Sequence, residues 1–167
     1  MTNVARESYN MWACCPIMFN YESPLRSQEF VTRRITRAAS RIKLGLQNEL
    51  RLGNLESKRD WSYCGDTVKA IHLMMEQETS EDFVIASGEA HSVHEFCQEA
   101  FAYLDLDYKK YVVIDPTLFR PAEVPMLLGN SAKIKEKLGW KPEVGFKQLV
   151  KMMVDADIDR CKKGDNF

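Results

Sequence analysis

"DFVIASGEAHSVHEFCQEAFAYLDLDYKKYVVID", residues 82–115, decides the fold. Its opening "DFVIAS" (82–87) has the length and apolar content of a short strand. "SVHEFCQEAFAYL" (92–104) reads as a helix begun by the capping box Ser92-x-x-Glu95. "KYVVID" (110–115) is a strand again. Strand, helix and strand in succession predict an α/β chain. Outward from this stretch the alternation continues. "NVARESYN" (3–10) looks like the tail of a helix, and "ACCPIMF" (13–19) like a short buried strand. "EFVTRRITRAASRIKLGL" (29–46) carries apolar residues at Phe30, Val31, Ile35, Ala38 and Ile42, which fits a helix. "ELRLGN" (49–54) is a short strand, and "GDTVKAIHLMMEQ" (65–77) a helix with Asp66 placed to cap it. "SAKIKEKLGW" (131–140), ended by Gly139, and "GFKQLVKMMVDADIDRC" (145–161) are the closing helices. About four short strands and five helices are expected.

Composition narrows the class. The 167 residues suffice for one domain with a sizeable core. Twenty-three Lys and Arg against 24 Asp and Glu leave a net charge of −1, without the basic excess of a nucleic-acid binder. The longest apolar run, "MWACCPIMF" (11–19), includes a proline and is too short for a membrane span. No charged segment followed by an apolar core opens the chain, so no secretory signal is expected. Five cysteines, Cys14, Cys15, Cys64, Cys97 and Cys161, show no C-x-x-C spacing. They suit a reduced, cytoplasmic setting. His91 and His94 stand three apart with no obvious third ligand, so no metal site is expected. Neither G-x-G-x-x-G nor G-x-x-x-x-G-K-[ST] occurs, and there is no Tyr-x-x-x-Lys pair.

Four stretches carry a more specific signal: "FNYESP" (19–24), "EFVTRRI" (29–35), "LGNLESKRDW" (52–61) and "FRPAEV" (119–124). With "KLGWKPEVGFKQLVKMMVDAD" (137–157) they resemble the carboxy-terminal half of GDP-mannose 4,6-dehydratase, from about Arg6 to Asp157. The resemblance implies the carboxy-terminal part of an extended short-chain dehydrogenase/reductase fold, which is NAD(P)-binding and Rossmann-like. The amino-terminal, glycine-rich dinucleotide-binding half would be missing. Residues 1–167 would then form a single GDP-sugar-binding domain, with a remnant of the Rossmann sheet at 5–28.

The same resemblance implies a site. Arg59 and Arg120 would clamp the nucleotide diphosphate and ribose, guanidinium forks being suited to phosphate oxygens. Glu123 would accept from a ribose hydroxyl. Val31 and Arg34 would lie by the guanine and its ribose, and Gly53 would let the backbone come close. Asn20 would sit at the strand end where open α/β sheets place their crevice. Tyr21 and Arg26 would touch NADP, the cofactor of the full-length family enzyme, which this chain alone would not bind tightly. The expected partners are GDP-mannose or GDP, an amino-terminal half and a second copy of the chain, with no nucleic acid and no membrane. No residue here is expected to be catalytic. The family writes "FNHESPRRG" where this chain has Tyr21, Leu25 and Ser27, has Lys at the place of Arg34, and has Gly at the place of Pro16. Those changes cluster on the cofactor side.

Plainer readings stand beside these. Arg33, Arg37 and Arg41, four apart, read as a solvated helix face. Arg59 could pair locally with Asp60, and Arg120 with Glu123. Trp61 and Trp140 read as packing anchors. The function expected is part of a GDP-mannose 4,6-dehydratase, inactive alone, with a stand-alone nucleotide-sugar-binding or protein-interaction module as the alternative.

Overall fold

The structure, a computed structural model, describes residues 1–164; the last three residues of the expected 1–167 domain lie outside the described residues. Six helices and eight short strands occur in it. Strand β1 (Pro16–Met18) pairs in parallel with β5 (Phe83–Ile85). One residue later the chain changes sheets. Strand β2 (Asn20–Glu22) runs parallel to the long strand β4 (Lys58–Tyr63). On its amino-terminal half β4 also holds β6 (Ala90–Ser92), antiparallel, and β8 (Met126–Leu127), parallel. A separate parallel pair joins β3 (Leu50–Leu52) to β7 (Val112–Ile114).

Two apolar cores hold these sheets. The larger packs α2 (Val31–Lys43), α4 (Val93–Ala102) and α6 (Phe146–Lys163) around Trp61. In α6 the buried residues Phe146, Leu149, Val150, Met153, Val154 and Asp157 follow helical spacing. The smaller core joins β5 to α3 (Cys64–Met75) and α5 (Ala132–Leu138) through Met74, Phe83, Ile85, Ile134 and Trp140. Helix α1 (Thr2–Tyr9) buries no residue. It is tethered by Arg6, whose two terminal nitrogens each donate to Asp82 at 2.7 Å.

Several expectations are met. The capping box of α4 is present in full, with Ser92 Oγ accepting from Glu95 N and Glu95 accepting from Ser92 N. Gly139 ends α5 with φ 66°, a conformation natural to glycine. Trp61 and Trp140 are both buried as packing anchors. Others are corrected. The segment "ACCPIMF" forms only the edge strand β1, and Ile17 and Met18 are 49% and 41% exposed, because β1 is paired on one side only. Pro16 opens that edge strand, where its missing N–H is tolerated. Asp66 does not cap α3, which begins at Cys64 behind Tyr63. Its buried carboxylate instead accepts from the backbone of Glu143 and Val144, each at 2.9 Å, and binds the α5–α6 link to α3.

The arginine face of α2 is corrected too. Arg33 is 4% exposed and Asp157 only 1%. Arg33 Nε donates to both Asp157 oxygens at 2.7 and 2.9 Å, and its Nη1 donates to the carbonyls of Pro24 and Arg26. Thr36 and Arg160 also donate to Asp157. Residue 33 therefore clasps α2 to α6 and pins the loop before α2, while Arg37 and Arg41 are half-buried.

Candidate functional site

A cleft of about 470 Å³ opens where β2, β4, the first turn of α2 and the end of β3 meet the 115–125 connector. Its walls follow from strand periodicity, since alternate residues share a face. Ser57, Arg59 and Trp61 present one face of β4 and its approach to the cleft. Asn20 and Glu22 do the same from β2, with Asn20 opposite Trp61 and Glu22 opposite Tyr63. Phe30, Val31 and Arg34 line it from the start of α2, Leu52, Gly53 and Asn54 from the end of β3, and Leu118, Arg120 and Glu123 from the connector.

All seven residues expected at a substrate site, Asn20, Val31, Arg34, Gly53, Arg59, Arg120 and Glu123, line this one cleft. Tyr21 and Arg26 do not. Tyr21 occupies the other face of β2, and Arg26 stacks its guanidinium 3.4 Å from the centre of the Phe30 ring and 5.7 Å from that of Tyr21.

The polar wall is held by a short network. Arg59 Nη1 donates to the Lys58 and Val124 carbonyls at 2.8 and 2.9 Å, and Nη2 reaches Glu123 Oε1 at 3.2 Å. Asn54 Nδ2 donates to Glu123 Oε2 at 3.3 Å. Arg59 is thus tied to Glu123 rather than to Asp60. Asp60 is buried on the opposite face, where it accepts from Ser87 N, Ser87 Oγ, Gly88 N and Gly129 N. With Glu123 so engaged, Arg120 is left exposed, without a hydrogen-bond or ion-pair partner among the described residues. One arginine is fixed by the fold and the other is available. Arg34 donates to the Arg51 carbonyl at 2.9 Å and so leans toward β3. Gly53 makes its close approach to the connector, since a Cβ there would lie 2.6 Å from the Leu118 carbonyl oxygen.

Glu22 was not singled out by sequence reading. It is 2% exposed yet forms part of the cleft wall, and its Oε2 accepts from Thr32 Oγ1 at 2.7 Å and faces Arg26 Nε at 3.3 Å. Burial pushes its carboxyl above the usual range, with Thr32 and then Arg26 pulling the other way. The signal was present as a glutamate two places after Asn20 on the same strand face. Ser57, Asn54 and Glu29 were missed as well, the last because it precedes the helix in a polar loop. Among the described residues no group of three or more His, Cys, Asp or Glu side chains could hold a metal, and no helix is long and apolar enough to cross a membrane.

The α/β scaffold, with parallel pairs β1–β5, β2–β4 and β3–β7 and a cleft walled by β2, β4 and the end of β3, has a short-chain dehydrogenase/reductase-like fold that matches about half the length of two solved chains. RMD from Pseudomonas aeruginosa, solved in complex with NADPH, superimposes with a TM-score of 0.84 at 21% identity, over 95% of this chain and 52% of that one. The dTDP-glucose 4,6-dehydratase of Bacillus anthracis, solved with NAD, does so with a TM-score of 0.81 at 18% identity, over 99% and 50%. These likenesses establish the fold. The GDP-mannose 4,6 dehydratase family model matches residues 1–153, and the chain belongs to that family. It is 55% identical to GDP-mannose 4,6 dehydratase 2 of Arabidopsis thaliana over 158 residues, and 41% identical to the Homo sapiens GDP-mannose 4,6 dehydratase over 178. Those alignments take in 95% and 96% of this chain but only 42% and 48% of the relatives, so the chain spans less than half their length.

Proposed function

We propose that this chain supplies the GDP-sugar-binding part of a GDP-mannose 4,6-dehydratase, which converts GDP-mannose to GDP-4-keto-6-deoxymannose. One observation carries the reading: seven residues scattered from position 20 to position 123 line one cleft, and Arg120 in its wall has no partner among the described residues. About 470 Å³ falls within the usual size of a small-molecule site. Arg120 would take a diphosphate oxygen, with the fixed Arg59 adding positive charge beside it. Glu123, already accepting from Arg59 and Asn54, retains lone pairs for a ribose hydroxyl. Val31, Gly53 and Arg34 would flank the base on the β3 side, and Asn20, which opens β2 rather than closing a strand as expected, would meet the ligand from that first position.

The dinucleotide of the family supplies hydride transfer when bound. Here Tyr21 and Arg26 fit an edge contact with it and no more: they lie outside the cleft, and the sequence has no glycine-rich turn to cradle a pyrophosphate. Nor does the sequence hold the Tyr-x-x-x-Lys pair that would move the protons. The isolated chain is therefore expected to bind GDP or GDP-mannose weakly, in the micromolar to millimolar range, and not to turn the sugar over. Calorimetric titration with GDP, beside an assay for the 4-keto product, tests both halves of this reading. Absence of GDP binding contradicts the site, and turnover contradicts the division of labour.

A further inference from the structure

The cleft has a carboxylate that neither the nucleotide reading nor the fold accounts for. Glu22 is buried in the wall formed by β2, and only Oε2 is engaged, by Thr32 Oγ1 and Arg26 Nε. Oε1 has no hydrogen-bond partner among the described residues and keeps a small open surface. A lone, nearly buried carboxylate oxygen at a ligand cleft calls for a hydrogen-bond donor.

Register says which donor. Glu22 stands opposite Tyr63, four residues along β4 from Arg59. At about 3.3 Å per residue that is about 13 Å from the position carrying the fixed cation. Arg34 leans the other way, to the Arg51 carbonyl of β3, so the end assigned to the base lies on the β3 side. A phosphate would be repelled by a carboxylate; a neutral hydroxyl would not. Burial, which favours the neutral form of Glu22, leaves it just as able to pair with a hydroxyl.

We propose that Glu22 is a specificity-determining residue whose Oε1 accepts a hydrogen bond from a hydroxyl of the hexose. This rests on the reading of the cleft as a GDP-sugar site and adds to it the group that tells GDP-hexose from GDP. Thr32 holds the carboxylate from behind, and Arg26 ties the same carboxylate to the loop that precedes α2.

Titrating GDP-mannose and GDP separately into the unaltered chain and into Glu22→Gln, Thr32→Val and Arg120→Ala tests it. Glu22→Gln leaves one acceptor oxygen where the two carboxylate oxygens serve Thr32 and the ligand, and puts an amide donor in place of the other. It should weaken GDP-mannose by about three- to tenfold and leave GDP within about twofold. Thr32→Val, which deletes only the internal tie, should leave both ligands within about twofold. Arg120→Ala should weaken both ligands together. The proposal is overturned if Glu22→Gln leaves GDP-mannose unaffected, if it weakens the two ligands equally, or if Thr32→Val reproduces its effect. If Arg120→Ala changes neither ligand while Glu22→Gln still weakens GDP-mannose, the diphosphate assignment fails and the Glu22 contact stands. If the unaltered chain binds neither, both fall.

Discussion

The larger core and the β1 edge are built on opposite terms. Around α2, α4 and α6 every charged group that enters the interior meets partners: Arg33 has Asp157 and two carbonyls, and Asp157 has Thr36 and Arg160 besides. The cleft is assembled on this frame. At β1 the reverse holds. Ile17 and Met18 face outward with Met11 and Trp12 also exposed, and only β5 pairs with the strand. One region is complete in itself, while the other presents apolar surface of the kind that drives association. The candidate cleft belongs to the complete region, so the GDP binding proposed for it is expected not to depend on the β1 edge.

The largest effect that could break this contrast lies in the Arg33 clasp. Arg33→Leu leaves the Asp157 carboxylate buried with only Arg160 and Thr36 beside it. Removing one member of such a pair destabilises by about 3–5 kcal/mol, a fall of roughly 6–20 °C for a domain of this size. Arg41→Ala, on the same row of the helix, loses only its bonds to Gln47 and the Leu46 carbonyl and should cost about 1 kcal/mol or less. Thermal melts of the two variants decide it, and equal melts would return Arg33 to the solvated face. A smaller effect is expected inside the cleft. Glu123→Gln keeps an acceptor for a hydroxyl but weakens the tie to Arg59, so GDP affinity should fall about two- to fivefold, read by calorimetry. The smallest effect on stability belongs to β1. Ile17→Asp should change the melting temperature little, since the side chain is half exposed, yet reduce concentration-dependent association in sedimentation velocity. An unaltered chain that is strictly monomeric at high concentration would remove the contrast.

Much of the scaffold was legible because its signals are local. The Ser92/Glu95 box and Gly139 mark helix ends through their own backbone geometry, and the apolar spacing of α6 names its buried face. The strand β4 was not legible. "KRDWSY" is rich in charge and has no apolar alternation, and it becomes a strand because β2, β6 and β8 pair with it from three distant parts of the chain. Arg33 escaped for the same reason: its partner Asp157 lies 124 residues away. The candidate site residues were named through the resemblance of "LGNLESKRDW" and "FRPAEV", and the fold adds what no motif states, namely that they line one cleft in which Glu123 pairs with Arg59, while Arg120 has no partner among the described residues.

That difference between two arginines gives the most direct test. Arg59 braces the connector as well as facing the cleft, so Arg59→Ala should lower both the melting temperature and GDP affinity. Arg120→Ala should leave the melting temperature unchanged and weaken GDP by about ten- to a hundredfold, the loss of a charge-assisted bond. Arg37→Ala is the stringent control, because Arg37 lines a neighbouring groove with Arg34 and Arg51 but not the cleft. Calorimetric titration of GDP into Arg120→Ala and Arg37→Ala is the measurement. The cleft as described predicts a large loss for Arg120 and almost none for Arg37; equal losses for the two would mean that GDP senses only general positive charge, and that the site lies elsewhere.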